Sequence, residues 1–289
     1  MKSTPQRSKT SRITSKLQFP EPAINAEYLT REFMTPIGKS YELEARILKN
    51  KHHDKPWVIS IHGAHADYSK ANAVSFGLQE RNISVLGITM SGHSKASPLE
   101  AEETSLANNI HEAESFFADL DPIKPVVVMG FSLGGTPALK LLEKHADKIS
   151  KIVLFYPGIY SKNSYDKSYG EPFRSVLSKP YSYRDNDTIE LLQRFPGKLM
   201  LVKGEYDGLD PVAYGKPAGT SAGEIEIAGK KYSSPIPKEV IESVKDAVPA
   251  ERRTYIEIPG CDHSVILWMR EHPEQSKDLL DTLTDFILS

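Results

Sequence analysis

The stretch Val126-Val127-Val128-Met129-Gly130-Phe131-Ser132-Leu133-Gly134-Gly135 decides how this 289-residue chain is read. Four apolar residues in an unbroken run fit a strand buried on both faces. Gly130-Phe131-Ser132-Leu133-Gly134 follows at once, and Gly134–His145 has helical spacing. A serine at a strand-to-helix turn this sharp is pressed into a strained backbone conformation, and its hydroxyl is lifted above the sheet. Glycines two positions to either side let strand and helix pass closely, and the helix N-terminus beyond favours developing negative charge. The five letters alone are a weak signal; their strand–turn–helix setting gives them weight. The alternative is an ordinary glycine-rich turn.

The flanking chain repeats the pattern. Glu27–Thr35 and Tyr41–Lys49 read as a hairpin around Pro36-Ile37-Gly38. Trp57–Ile61, Val85–Met90, Ile152–Tyr156, Leu199–Val202 and Tyr255–Ile258 are further short apolar strands. Helical spacing covers Ala71–Arg81, Pro98–Leu120 with Ser97 as N-cap, and Leu279–Leu288. Apolar strands alternating with amphipathic helices predict an α/β fold, a mostly parallel eight-stranded sheet with helices on both faces. One domain is expected over 25–289, after a basic flexible tail at 1–24. Two stretches break the alternation: a cap-like excursion at 158–196, rich in Tyr, Pro, Lys and Ser, and an insert at 208–235 with the look of a small hairpin.

Bulk properties narrow the partners. The formal net charge is −2, but Lys2, Arg7, Lys9, Arg12 and Lys16 stand in an acid-free N-terminus, leaving a net −7 for the rest. A mildly acidic body argues against nucleic acid as the main partner. No run approaches a membrane span, so stable membrane insertion is not expected. The N-terminus lacks the apolar core of a secretory signal; it reads as a solvated tail, with an organelle transit peptide as the other reading. The single cysteine, Cys261, excludes an internal disulfide framework and fits a reducing compartment, so a cytoplasmic location is expected.

A serine hydroxyl needs a base. His263 follows strand Tyr255–Ile258 through Pro259-Gly260-Cys261-Asp262, which puts it on a loop at the carboxyl end of a parallel strand, where ligand sites gather. Asp207, in Gly204-Glu205-Tyr206-Asp207-Gly208 after Leu199–Val202, is the candidate acid, with Asp210 as its rival. The order Ser132, Asp207, His263 is one of the known orders of the triad. For the oxyanion, the backbone N–H of Leu133 is one candidate donor. Ala64 N–H, in the loop His62-Gly63-Ala64-His65, is the second.

From about Glu27 onward the chain resembles the α/β-hydrolase superfamily. The resemblance is carried by His62-Gly63, Gly92-His93, Gly130–Gly134, Gly204–Asp207 and Gly260–His263, in that order. It implies the α/β-hydrolase fold with a small cap, and within it the cap-like excursion resembles carboxylesterases, feruloyl esterases and monoacylglycerol lipases. Two departures stand out. Met90-Ser91-Gly92-His93-Ser94 lacks the usual aspartate before Gly-His, and the 208–235 insert parts Asp207 from the helix start Pro237-Lys238-Glu239.

The expected activity is therefore hydrolysis of a carboxylic ester or thioester through an acyl-enzyme, with a small molecule as partner and no cofactor. Amide, peptide or carbon–carbon bond hydrolysis on the same triad is the enzymatic alternative. A non-catalytic small-molecule binder is the other. His65, Tyr160, Tyr169 and Phe173 are candidate substrate contacts, though aromatics in such an excursion can equally close a cap. His62, His65 and Asp67 fit no common zinc spacing, so no metal is expected. Cys261 is either a small packed residue or a redox-sensitive thiol beside the base.

Overall fold

The computed structural model describes residues 6–8, 17–22, 28–51, 55–121 and 123–289. Eleven strands form among them. They are β1 (Gln6–Ser8), β2 (Leu29–Thr35), β3 (Leu43–Leu48), β4 (Val58–Ile61), β5 (Val85–Ile88), β6 (Val126–Phe131), β7 (Ile149–Phe155), β8 (Lys198–Gly204), β9 (Gly223–Ile227), β10 (Lys230–Ser234) and β11 (Arg253–Ile258). The main sheet runs β1-β2-β3-β5-β4-β6-β7-β8-β11, and β9 and β10 form a separate hairpin. All strands from β5 to β11 in this order are parallel, while β1, β2 and β3 are antiparallel to their neighbours. All eight strands expected of the main sheet form, and β1 adds a ninth at its edge.

Side chains alternate across the sheet, and each face has its own core. Val128, Leu154 and Leu201 pack on one face with Phe116, Ala138, Leu192 and Val244. Val127, Met129, Val153 and Met200 pack on the other with Leu78, Ile266, Met269 and Leu283. The first face is covered by helices α2 (Leu106–Phe117), α3 (Gly135–Lys140), α6 (Thr188–Arg194) and α7 (Lys238–Asp246). The second is covered by α1 (Asn72–Glu80), α8 (Val265–Glu271) and α9 (Pro273–Leu288). Short α4 (Leu142–His145) extends α3, and α5 (Glu171–Leu177) lies in the excursion. Among the described residues no helix is long and apolar enough to cross a membrane.

Two expectations are corrected. The helix drawn from Pro98 starts instead at Leu106, capped by Ser105, whose Oγ accepts from Asn108 N–H at 3.3 Å. Ser97 closes a loop instead, its Oγ accepting from Gly92 N–H at 2.7 Å and donating to Leu99 O at 2.7 Å. The described parts of segment 1–24 are also held to the body rather than free. Gln6–Ser8 pairs with Phe33–Thr35. Gln18 and Phe19 N–H groups donate to Asp67 Oδ2 and Ser69 Oγ, both at 3.0 Å, and Glu21 pairs with the buried Arg46 at 3.1 Å. The rest of the expected tail, and residues 25–27 at the expected start of the hairpin, lie outside the described residues.

The sheet order reverses at β4, which has β5 on one side and β6 on the other. Beyond the carboxyl ends of strands at such a reversal the loops diverge and leave a crevice. The loops after β4 and β6 flank it.

Candidate active site

The turn after β6 is as tight as its glycines suggest. Ser132 has φ +50°, a left-handed conformation that costs an ordinary residue about 1–2 kcal/mol and persists only where the surroundings impose it. A Cβ on Gly134 would stand 2.3 Å from Ile61 O, and one on Gly130 2.6 Å from Gly134 O, so neither position accepts a side chain without the backbone moving. The half-buried Ser132 Oγ lies 2.9 Å from His263 Nε2. His263 Nδ1 lies 2.6 Å from Oδ2 of the fully buried Asp207. The other Asp207 oxygen accepts from Gly208 N–H at 2.9 Å and Ile236 N–H at 3.4 Å. Three side chains from loops after β6, β8 and β11 thus form one hydrogen-bonded line. The rival acid, Asp210, is exposed and caps the turn that follows it, accepting from Val212 N–H at 3.0 Å.

The family described as "Serine aminopeptidase, S33" matches residues 52–191. No curated protein matches the sequence. Among solved structures, an esterase from Exiguobacterium antarcticum, EaEST, is 16% identical with a TM-score of 0.59, the match covering 89% of this chain and 99% of that one. Est1E from Butyrivibrio proteoclasticus, solved with ferulic acid bound, is 17% identical with a TM-score of 0.57, over 86% of this chain and 94% of that one. The monoacylglycerol lipase of Paleococcus ferrophilus is 16% identical with a TM-score of 0.57, over 85% and 98%. The chain has the α/β-hydrolase fold.

In this α/β-hydrolase fold the elements around the line are held by side chains from well outside it. The His62 ring is a staple: its Nδ1 lies 2.7 Å from Gly63 O, and its Nε2 accepts from Met90 N–H at 2.9 Å, which ties the loop after β4 to the end of β5. Met90 N–H can only donate, so Nε2 carries no proton and Nδ1 does. Burial pushes the His62 pKa down to about 4, so the ring stays neutral. His93 behind it is pushed down to about 3, first by burial and then by His62. The carboxylate serving the Ser91-Gly92-His93 loop comes from Glu112 on α2, whose Oε2 accepts from Ser91 N–H at 2.9 Å. Tyr156, at φ +40°, sets its ring edge-on to His263 at 4.6 Å between centroids.

The insert holds the His263 loop in place. Asp262 accepts from Ser233 N–H on β10 and from Ser264 N–H, both at 2.8 Å, and Leu209 N–H donates to Ser234 Oγ at 3.2 Å. Hairpin β9–β10 thereby bridges the acid loop and the histidine loop. The excursion meets the insert as well, through Tyr181 N–H donating to Gly219 O at 2.7 Å, and Arg184 reaches α7 beyond it, pairing with Glu239 at 2.8 Å. Below them Lys203, only 6% exposed, donates its ammonium to the carbonyls of Gly204, Glu205 and Asp207.

Ser132 and His263 line a cavity of about 920 Å³. Ala64, His65 and Tyr160, three of the expected contacts, line it too, while Leu133 is buried beneath the turn. Tyr169 and Phe173 do not line it. They sit behind Tyr160, Phe173 at 5.4 Å from the Tyr160 ring and 5.1 Å from that of Tyr169, and the Tyr169 hydroxyl donates to Asn109 Oδ1 at 2.6 Å. Their role is to brace the wall. Phe19, Leu177, Tyr183, Ile236, Leu267 and Arg270 line the cavity without having been expected to. They come from five separate segments, and spacing marks only Leu267 and Arg270, three apart on α8, as neighbours.

No cluster of three potential metal-binding side chains occurs among the described residues. His62 and Asp67 are committed elsewhere, the Asp67 oxygens to the N–H groups of Ser69 and Gln18. Cys261 is 2% exposed, and burial, then Asp262 and Asp207, push its thiol up to about 12, which fits a neutral packed side chain.

Proposed function

We propose that the protein is a serine hydrolase that cleaves a carboxylic ester through an acyl-enzyme. The observation that carries this reading is the Ser132–His263–Asp207 line opening on a largely apolar-walled cavity. With Nδ1–H donating to Asp207, Nε2 is left to take the Ser132 proton as Oγ attacks the carbonyl. Asp207 holds that tautomer and stabilises the imidazolium that forms. Leu133 and Ala64 N–H groups receive the oxyanion, each contributing roughly 10²–10³ in rate. His263 then protonates the leaving alcohol, and water hydrolyses the acyl-enzyme by the reverse path.

Esterases and a lipase share the fold, and a thioester would follow the same course. The serine aminopeptidase match favours a second reading, amide hydrolysis at a free amino terminus. Against it stands the cavity wall: to hold a substrate ammonium it should present a carboxylate, and among the described residues no Asp or Glu lines it. Turnover of 4-nitrophenyl esters and aminoacyl 4-nitroanilides by wild type and Ser132→Ala tests both readings. Ester hydrolysis should dominate and fall at least about 10⁴-fold in the variant, with unchanged circular dichroism. Ester turnover retained in Ser132→Ala refutes the role of Ser132.

A further inference from the structure

Among the described residues three charged side chains line the cavity, Lys70, Arg174 and Arg270, and all are basic. Arg174 is exposed and pairs with Glu171 at 3.6 Å. The other two have no carboxylate partner among the described residues. The half-buried Lys70 sits on the 3-10 turn Tyr68–Ala71, directly after the loop that carries Ala64. Arg270 donates to the Lys70 backbone carbonyl at 3.2 Å and stacks on the Phe19 ring at 4.0 Å, contacts that hold the guanidinium without neutralising it. Burial, and then the Arg270 charge, lower the Lys70 pKa. Lys70 is half-buried and Arg270 exposed, so an anion joining the two like charges would relieve a repulsion that solvent screens only in part.

The helix fixes where such an anion would lie. Ile266, Leu267 and Arg270 stand three, four and seven residues beyond His263 and all line the cavity, so they share one face of α8. Only Val265–Arg270 of that span is helix, a rise of about 7.5 Å, and Ser264 joins it to His263. An anion at Arg270 and Lys70 would therefore sit roughly that far from the base, across the apolar stretch of Ile266 and Leu267.

We propose that Lys70 and Arg270 form a subsite for a carboxylate at the end of the substrate remote from the ester bond. The proposal rests on the ester-hydrolase reading of Ser132 for its turnover arm but not for its binding arm. Lysine supplies a point charge and arginine a planar fork, a pair suited to one carboxylate. The substrate class is then a half-ester or ω-carboxy ester, anionic at one end and apolar along its middle.

The test compares matched esters. Mono-4-nitrophenyl glutarate and 4-nitrophenyl valerate differ in charge on the acyl side; 4-acetoxybenzoate and 4-methylphenyl acetate differ on the leaving side. Wild type should favour the anionic member of at least one pair in kcat/KM by about 10- to 100-fold, the worth of a charge-assisted contact. Lys70→Met or Arg270→Met should collapse that ratio, and Lys70→Arg should keep most of it. A merely structural loss would lower both members together and leave the ratio intact. Calorimetry on Ser132→Ala, and on Ser132→Ala carrying Lys70→Met, reads the same preference in binding. Anion preference in binding without turnover of any ester sustains the subsite and sinks the ester reading. Ester turnover with no anion preference in either pair, in rate or in binding, overturns the subsite alone.

Discussion

The backbone N–H of His263 donates to the carbonyl of Ser233 at 3.1 Å, so the loop carrying His263 hangs from a strand of the insert. Asp262 closes the same junction from the other side through Ser233 N–H. Asp262→Ala leaves both side chains of the Ser132–His263 pair in place but removes this anchor. Its expected effect is a fall of about 10-fold in kcat with KM within about threefold, and about 1–2 kcal/mol of lost stability. Steady-state kinetics beside urea unfolding checks this, and a kcat equal to wild type would mean that the Asp262 carboxylate does not position His263.

Lys203 makes the matching prediction on the acid side. Its buried ammonium serves three carbonyls and pairs with Glu257 at 2.8 Å. Lys203→Met strands those carbonyls, and we expect a loss of about 2–4 kcal/mol in chemical denaturation, with reduced activity as the Asp207 loop loosens. A stability within about 0.5 kcal/mol of wild type would contradict the assignment.

Much of the fold was legible because its signals are local. The apolar runs around Val127, Leu154 and Leu201 mark strands buried on both faces, and the turn glycines at 130 and 134 are needed where two backbones nearly touch. Ser132, Asp207 and His263 could be read for the same reason, each following a recognisable strand. Ser97-Pro98 misled because it carries as good a capping signal as Ser105 and differs only in its tertiary partners, Gly92 and Leu99. Tyr169 and Phe173 are of a type that suits a cavity wall, whereas Asn109 and Tyr160 hold them behind it. Phe19, Lys70 and Arg270 come together from positions about 50 and 200 residues apart, a juxtaposition that no spacing rule reports.

Gly63 faces Ser132. A Cβ there would stand 3.0 Å from Ser132 Cβ and 3.1 Å from Phe131 O. Gly63→Ala should push the loop bearing Ala64 away from Ser132 and lower kcat by about 10²-fold, with only a small change in melting temperature. If the variant loses stability and activity in proportion, or neither, the loop is not set for the oxyanion.

Stability should depend on pH through the two buried imidazoles. His62 and His93 have ordinary values of 6.5 when unfolded and about 4 and 3 when folded. Below about pH 6.5 the unfolded chain takes up protons that the folded chain refuses. Their contribution is therefore full above that pH and declines on acidification, by up to about 1.4 kcal/mol per pH unit for each. Urea midpoints from pH 7.5 to 4.5 should fall less steeply in His93→Gln than in wild type. Parallel curves would contradict the neutral, buried state of His93.

The central claim is that Ser132 is a nucleophile activated by His263. It is tested most directly by treating the native protein with a fluorophosphonate and mapping the adduct by peptide mass spectrometry. The account predicts a single phosphonyl group on Ser132, formed rapidly in wild type, absent in Ser132→Ala and at least about 10³-fold slower in His263→Gln. A protein that stays unlabelled, or whose Ser132 reacts as fast without the imidazole, would contradict it.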